Sequence, residues 1–158
     1  MKSLLCLVLT LLALGASVAY AHDKSAPLTD AQKLFLGQYE SVRVALAADD
    51  LAAAKKAAQA IVASAPAEAP AKEGEAKHTG GYMDAAKTLS TAGSLESARD
   101  AFKTVSKRAV HFAGSQKGFY HAHCPMVPNE EGDWVQTTKK ISNPYMGKAM
   151  ATCGSIEK

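Results

Sequence analysis

Late in the chain, between Ser94 and Gly114, apolar side chains recur with a rhythm suited to one kind of backbone. Leu95, Ala98, Phe102, Val105, Ala109 and Phe112 fall at steps of three and four, which puts them on one face of a helix for about five turns. Ser94 stands where an N-cap belongs, and Gly114 where the helix should stop. The same rhythm appears upstream. Thr29-Asp30-Ala31-Gln32 reads as a capping box, and Phe35, Tyr39, Val42 and Leu46 follow it on one face. That helix should end near Ala48. Asp49 or Asp50 then caps a second, carried by Leu51, Ala54, Ala58, Ile61 and Ala65. A short third helix is expected through Tyr82, Ala85, Ala86 and Leu89, broken at Ala92-Gly93. Very short connections make neighbouring helices antiparallel. The fold class expected is therefore all-α: an antiparallel four-helix bundle, with an irregular C-terminal segment ending in a short helix. Only four Phe and five Tyr stand among abundant Ala, so the helices should pack closely through small side chains. Pro66 to Gly81, with two prolines, three glycines and no large apolar residue, reads as a loop or linker.

The first 21 residues have the layout of a secretory signal peptide. Lys2 precedes an apolar run from Leu4 to Leu14, and Ala19-Tyr20-Ala21 supplies the small-x-small cleavage pattern. The run is shorter than the roughly 20 residues a bilayer span needs. Cys6 lies inside it, so it is not a lipoprotein cysteine. Cleavage after about Ala21 leaves about 137 of the 158 residues, one domain's worth. Residues 22–158 are then a single helical domain, with a helical body over about 29–114 and a tail over about 118–158. The formal net charge of +3 falls by one when Lys2 leaves. So small a charge implies no nucleic-acid partner, and no later apolar stretch implies membrane insertion. There is no Cys-x-x-Cys, nucleophile elbow, phosphate loop or His-Glu-x-x-His, so no enzymatic activity is expected.

The chemistry sits in the tail. His121, His123, Cys124 and Met126 fall within six residues. In an extended chain Cys124 and Met126 would face one way, and His121 and His123 the other. Further on, Asn143 caps and Pro144 opens a predicted helix from Tyr145 to Cys153, closed by Gly154. On it Met146, Met150 and Cys153 would line one face, a stripe that by itself reads most simply as core packing. The two clusters together hold both cysteines left after cleavage and three of the four remaining methionines. Thiolate and thioether donors select soft ions, Cu(I) above all, with imidazole a common supplement.

These motifs resemble a bacterial domain of unknown function, found alone or at the C-terminus of periplasmic adaptor subunits of heavy-metal efflux systems. The likeness rests on Ala48-Asp49-Asp50, Ala98-Arg99-Asp100-Ala101-Phe102, Cys124-Pro125-Met126, Trp134, Asn143-Pro144-Tyr145, Gly147-Lys148, Met150 and Cys153-Gly154. It runs from about Gln32 to Gly154, without adaptor hairpin or barrel segments. It implies a periplasmic location, copper or silver handling, and an efflux-system component as partner. It also implies Cys124, Met126, Met150 and Cys153 as the metal ligands.

The expected function is thus a periplasmic Cu(I) carrier or buffer. His123 or His121 would be an optional further donor and Met146 a flanking one. Ag(I) is equally compatible, and Zn(II) on Cys124, Cys153, His121 and His123 is a rival. The alternative is an interaction domain stapled by a Cys124–Cys153 disulfide, which closes a loop of about 30 residues and adds roughly 3 to 4 kcal/mol. Trp134 is expected to anchor the tail in a core.

Overall fold

The computed structural model describes residues 27–64, 81–130 and 132–157. The signal-peptide reading and nearly all of the 66–81 linker reading lie outside them. Four α-helices lead: α1 (Asp30–Ala47), α2 (Leu51–Ser64), α3 (Tyr82–Ser90) and α4 (Leu95–Ala113). Their starts follow local chemistry. Thr29 Oγ1 accepts from Gln32 N at 3.2 Å while Gln32 Oε1 accepts from Thr29 N at 2.8 Å. Asp50 Oδ1 accepts from Ala53 N at 2.9 Å, so Asp50 caps α2. Ser94 and Ser97 form a second reciprocal box at the start of α4. Asp49, left between α1 and α2, takes a left-handed φ of 58° and turns the chain back. Ser64, at the far end of α2, then reaches Gln38 on α1 at 2.8 Å. Consecutive helices pack on one another and α1 also packs on α4.

The buried faces are those the rhythm marks: Tyr39, Val42 and Leu46 on α1, Ala54, Ala58 and Ile61 on α2, Phe102, Val105 and Ala109 on α4. Tyr39 stacks on Phe102 with ring centroids 5.3 Å apart. Among the described residues no helix is long and apolar enough to cross a membrane.

The all-α expectation needs correction. The chain is mostly helical, but its tail is a three-stranded antiparallel sheet in the order β2-β1-β3: β1 (Tyr120–His123), β2 (Asp133–Gln136) and β3 (Ser155–Ile156). Tyr120 pairs with Gln136 and His123 with Asp133; on the other side of β1, His123 pairs with Ser155. Such short strands are marginal alone, and this sheet is fixed by the helices it packs against. The outer edge of β2 is closed by hydroxyls rather than by another strand. Tyr39 Oη accepts from Val135 N at 3.2 Å and donates to Val135 O at 3.3 Å. Ser106 Oγ and Tyr145 Oη both donate to Asp133 O, at 2.8 and 2.7 Å. Burial pushes the Tyr39 hydroxyl far up from its ordinary pKa, so it stays a neutral donor and acceptor. An edge strand's free backbone groups are thereby satisfied inside the molecule.

A second correction concerns the predicted helix from Tyr145 to Cys153. Asn143 does cap it: its Oδ1 accepts from Tyr145 N at 2.8 Å and Met146 N at 3.0 Å. Gly147 then swings to φ +55°, and only a single 3-10 turn, Gly147–Met150, follows. The reason is the contact with the helices. Asp49 Oδ2 accepts from Lys148 N at 3.1 Å, and its other oxygen is paired with Arg99. Arg99 also donates to Leu46 O at 3.0 Å and Pro144 O at 2.9 Å. A Cβ on Gly147 would fall 1.8 Å from Asp49 Oδ1. A continued α-helix is given up for this close approach.

Candidate metal centre

The two cysteines arrive from separate turns. β1 ends at His123, and Cys124 opens a turn closed by Val127 N donating to Cys124 O at 3.2 Å. Gly132 lies directly over it: Cys124 N donates to Gly132 O at 3.0 Å, and a Cβ on Gly132 would sit 2.2 Å from Cys124 O. Cys153 ends a second turn, its N donating to Met150 O at 3.0 Å. Asn143 Nδ2 donates to Cys153 O at 2.8 Å and fixes that turn from below. Gly154 then bends away at φ +121°, where a Cβ would meet His123 O at 2.7 Å and the Trp134 ring at 2.9 Å. This bend lets β3 join β1 beside the end that carries Cys124. The outcome is Cys124 Sγ 2.7 Å from Cys153 Sγ. Both are free thiols, Cys124 buried and Cys153 partly exposed. The Cys124 thiol, and burial after it, push the Cys153 thiol up from its ordinary pKa.

The methionines divide. Met126 lies within the Cys124 turn and is 59% exposed; Met150 begins the Cys153 turn and is 42% exposed. Each cysteine thus has one exposed thioether in its own turn. Met146 instead packs against the core. The single α-helical face expected to carry Met146, Met150 and Cys153 is not formed, because Gly147 interrupts it.

The histidines are both engaged by one carboxylate. His121 and His123, two residues apart on β1, share one face of it. Both meet Asp133 Oδ1, His121 Nε2 at 2.8 Å and His123 Nδ1 at 3.3 Å. Asp133 is a partner the sequence reading missed. The signal was the hairpin that sets it opposite His123, visible only once 120–123 and 133–136 are paired. Among the described residues no three His, Cys, Asp or Glu side chains are gathered so as to hold an ion.

Residues 35–117 match the DUF3347 family, described as proteins of unknown function. The chain belongs to the DUF3347 family. No curated protein and no solved structure matches it. The DUF3347 match spans the helices and ends just before β1, so the cysteine turns lie beyond it. Asp49 and Arg99 lie inside the match, and both grip the tail at Pro144 and Lys148. Trp134, fully buried with its Nε1 donating to Gln136 Oε1 at 2.9 Å, anchors the tail as expected.

Proposed function

We propose that this DUF3347 protein is a periplasmic soft-metal protein that binds Cu(I), or Ag(I) by the same chemistry, as a carrier or buffer in metal efflux. One observation carries the reading: two thiols from separate turns meet at 2.7 Å, and each turn exposes a methionine. Exposed methionine is unfavourable as packing and useful as a soft ligand. Cys124 and Cys153 supply thiolates, and Met126 and Met150 supply thioethers. His121, His123 and Met146 are engaged elsewhere and are not assigned as ligands. This also disfavours Zn(II) on two cysteines and two histidines. The ion is cargo, and an efflux-system component is the partner that would receive it.

The test is competition for Cu(I) against a chromophoric chelator, using exported, reduced protein and its Cys124→Ser/Cys153→Ser variant. The wild type should take one tight equivalent and the variant none. Because each thiol must lose its proton, and Cys153 holds its proton more firmly than usual, affinity should rise with pH across the neutral range. Failure of the reduced wild type to compete at any pH would end the metal reading.

A second reading starts from the same approach of the two thiols, which puts them within reach of a bond to each other. In that reading a disulfide staples an interaction domain that associates with an efflux complex and binds no metal. An intact disulfide in protein taken directly from the periplasm, with no Cu(I) competition after reduction, would establish it.

A further inference from the structure

The cysteine pair lies between two bonded geometries. A disulfide needs its sulfurs at about 2.05 Å. Two thiolates on one ion, with metal–sulfur bonds of about 2.3 Å at a tetrahedral angle, stand about 3.7 Å apart. A pair bonded to itself cannot hold an ion, and a pair spread on an ion cannot bond to itself, so each state excludes the other, and the two sulfurs stand close enough to form either. The two sulfurs also differ in access. Cys124 is fully buried, whereas Cys153 sits at the end of a turn and is partly exposed.

From this asymmetry we infer that Cys124–Cys153 is an ordered dithiol gate: an outside disulfide oxidises the pair through Cys153, and closing the internal bond expels the soft ion. The expulsion rests on the metal reading above; the order of exchange does not. In the first step the Cys153 sulfur attacks a disulfide R–S–S–R, forms a mixed disulfide and releases one R–S⁻. In the second, Cys124 Sγ, already in contact, attacks Cys153 Sγ and releases the second R–S⁻. From the ion-free pair the two thiol protons end on the two R–SH; from the loaded pair, already deprotonated, the two R–S⁻ take their protons from solvent. The two electrons lost by the cysteines reduce the outside disulfide, and Cu(I) leaves with its oxidation state unchanged. Cys124 does not start the sequence, because no molecule in solvent reaches its sulfur.

Oxidised glutathione is the probe, with adducts read by intact mass. Folded Cys124→Ala should collect one glutathione on Cys153, and wild type should pass to an internal disulfide and keep none. Folded Cys153→Ala should react at least about tenfold more slowly, a difference that unfolding erases. Brief iodoacetamide labelling of folded, reduced wild type gives the same order without any substitution: Cys153 first, Cys124 last. Equal labelling of the two, or glutathione retained on wild type, overturns the inference. Cu(I)-loaded wild type is then treated with oxidised glutathione in the presence of the chelator, with reduced glutathione as control. Cu(I) should reach the chelator in step with disulfide formation. A disulfide that forms while Cu(I) stays bound overturns the gate. A reduced protein that never takes up Cu(I) overturns the proposed function, and with it the expulsion, while the labelling result still decides the exchange.

Discussion

In the helical body the buried residues are mostly apolar and often small. Ala54, Ala58, Ala86, Ala98 and Ala109 are all at or below 1% exposure, and Phe102, Leu46 and Leu89 fill the space they leave. In the tail, directional polar bonds to backbone atoms do much of the holding. Gln136 Nε2 donates to Thr138 O at 2.6 Å and Lys140 O at 2.9 Å, and Asn143 bonds three backbone groups. Helix residues reach across to do the same. Arg43 donates to Ser142 O at 2.7 Å while paired with Glu40, and Arg99 holds Pro144 O. Apolar burial is non-directional and spread over many side chains. A hydrogen-bonded segment is set by a few atoms, and losing one partner strands another. The body therefore governs whether the chain folds, and the tail's few bonds govern where the cysteines sit.

Two substitutions should separate these roles. The larger effect belongs to Phe102→Ala. Phe102 is fully buried, stacked on Tyr39 and tilted against Tyr145 at 5.7 Å. Its loss should cost about 3–5 kcal/mol of global stability in denaturant unfolding. The folded fraction should keep its Cu(I) affinity. A smaller effect on stability, about 1–3 kcal/mol, is expected for Asn143→Ala. That variant frees Tyr145 N, Met146 N and Cys153 O at once. Because the Cys153 turn loosens, Cu(I) affinity should fall about tenfold, or 1.4 kcal/mol. If Phe102→Ala weakened Cu(I) binding as much as Asn143→Ala, the division between body and tail would be wrong.

The same contrast explains what could be read from sequence. The helices were legible because their signals are local: Thr29 with Gln32, Ser94 before α4, and stripes at three and four. Asn143 as a cap and Trp134 as an anchor were legible for the same reason. The sheet was not. Tyr120-His121-Ala122-His123 has no β-branched residue, and β3 is two residues long, so neither carries a strand signal of its own. They pair in a sheet whose β2 strand is held by distant partners, above all Tyr39 and Ser106, which lie on helix faces otherwise read as apolar. A serine buried beside Val105 was the available clue. Gly147 misled because its helix-breaking turn answers to Asp49, 98 residues earlier in the chain. The pairing of Cys124 with Cys153 was expected as a disulfide or a metal site; the separate engagement of the histidines with Asp133 was not.

The smallest effect expected is also the most specific probe of how body and tail are joined. Asp49 ties the α1–α2 turn to both Arg99 and the Lys148 amide. The Arg99 hydrogen bond first, and the Lys148 N–H second, hold its carboxyl below the usual carboxylate range. Folding therefore favours the charged form. The stabilisation is fully present above the unfolded value of about 3.9 and is lost as pH falls through the lower folded value. Both side chains are partly solvated, at 19% and 31% exposure, so the gain is modest. Asp49→Asn should melt below wild type at neutral pH, and the gap should close as pH drops below about 4. Arg99 keeps its bonds to Leu46 O and Pro144 O in the variant, so the tail should stay docked. A gap that stays constant with pH would mean that Asp49 acts through shape and the amide bond alone. A gap that closes would assign the joint to the charge of Asp49, which pairs with Arg99 inside the body and accepts the Lys148 amide of the tail.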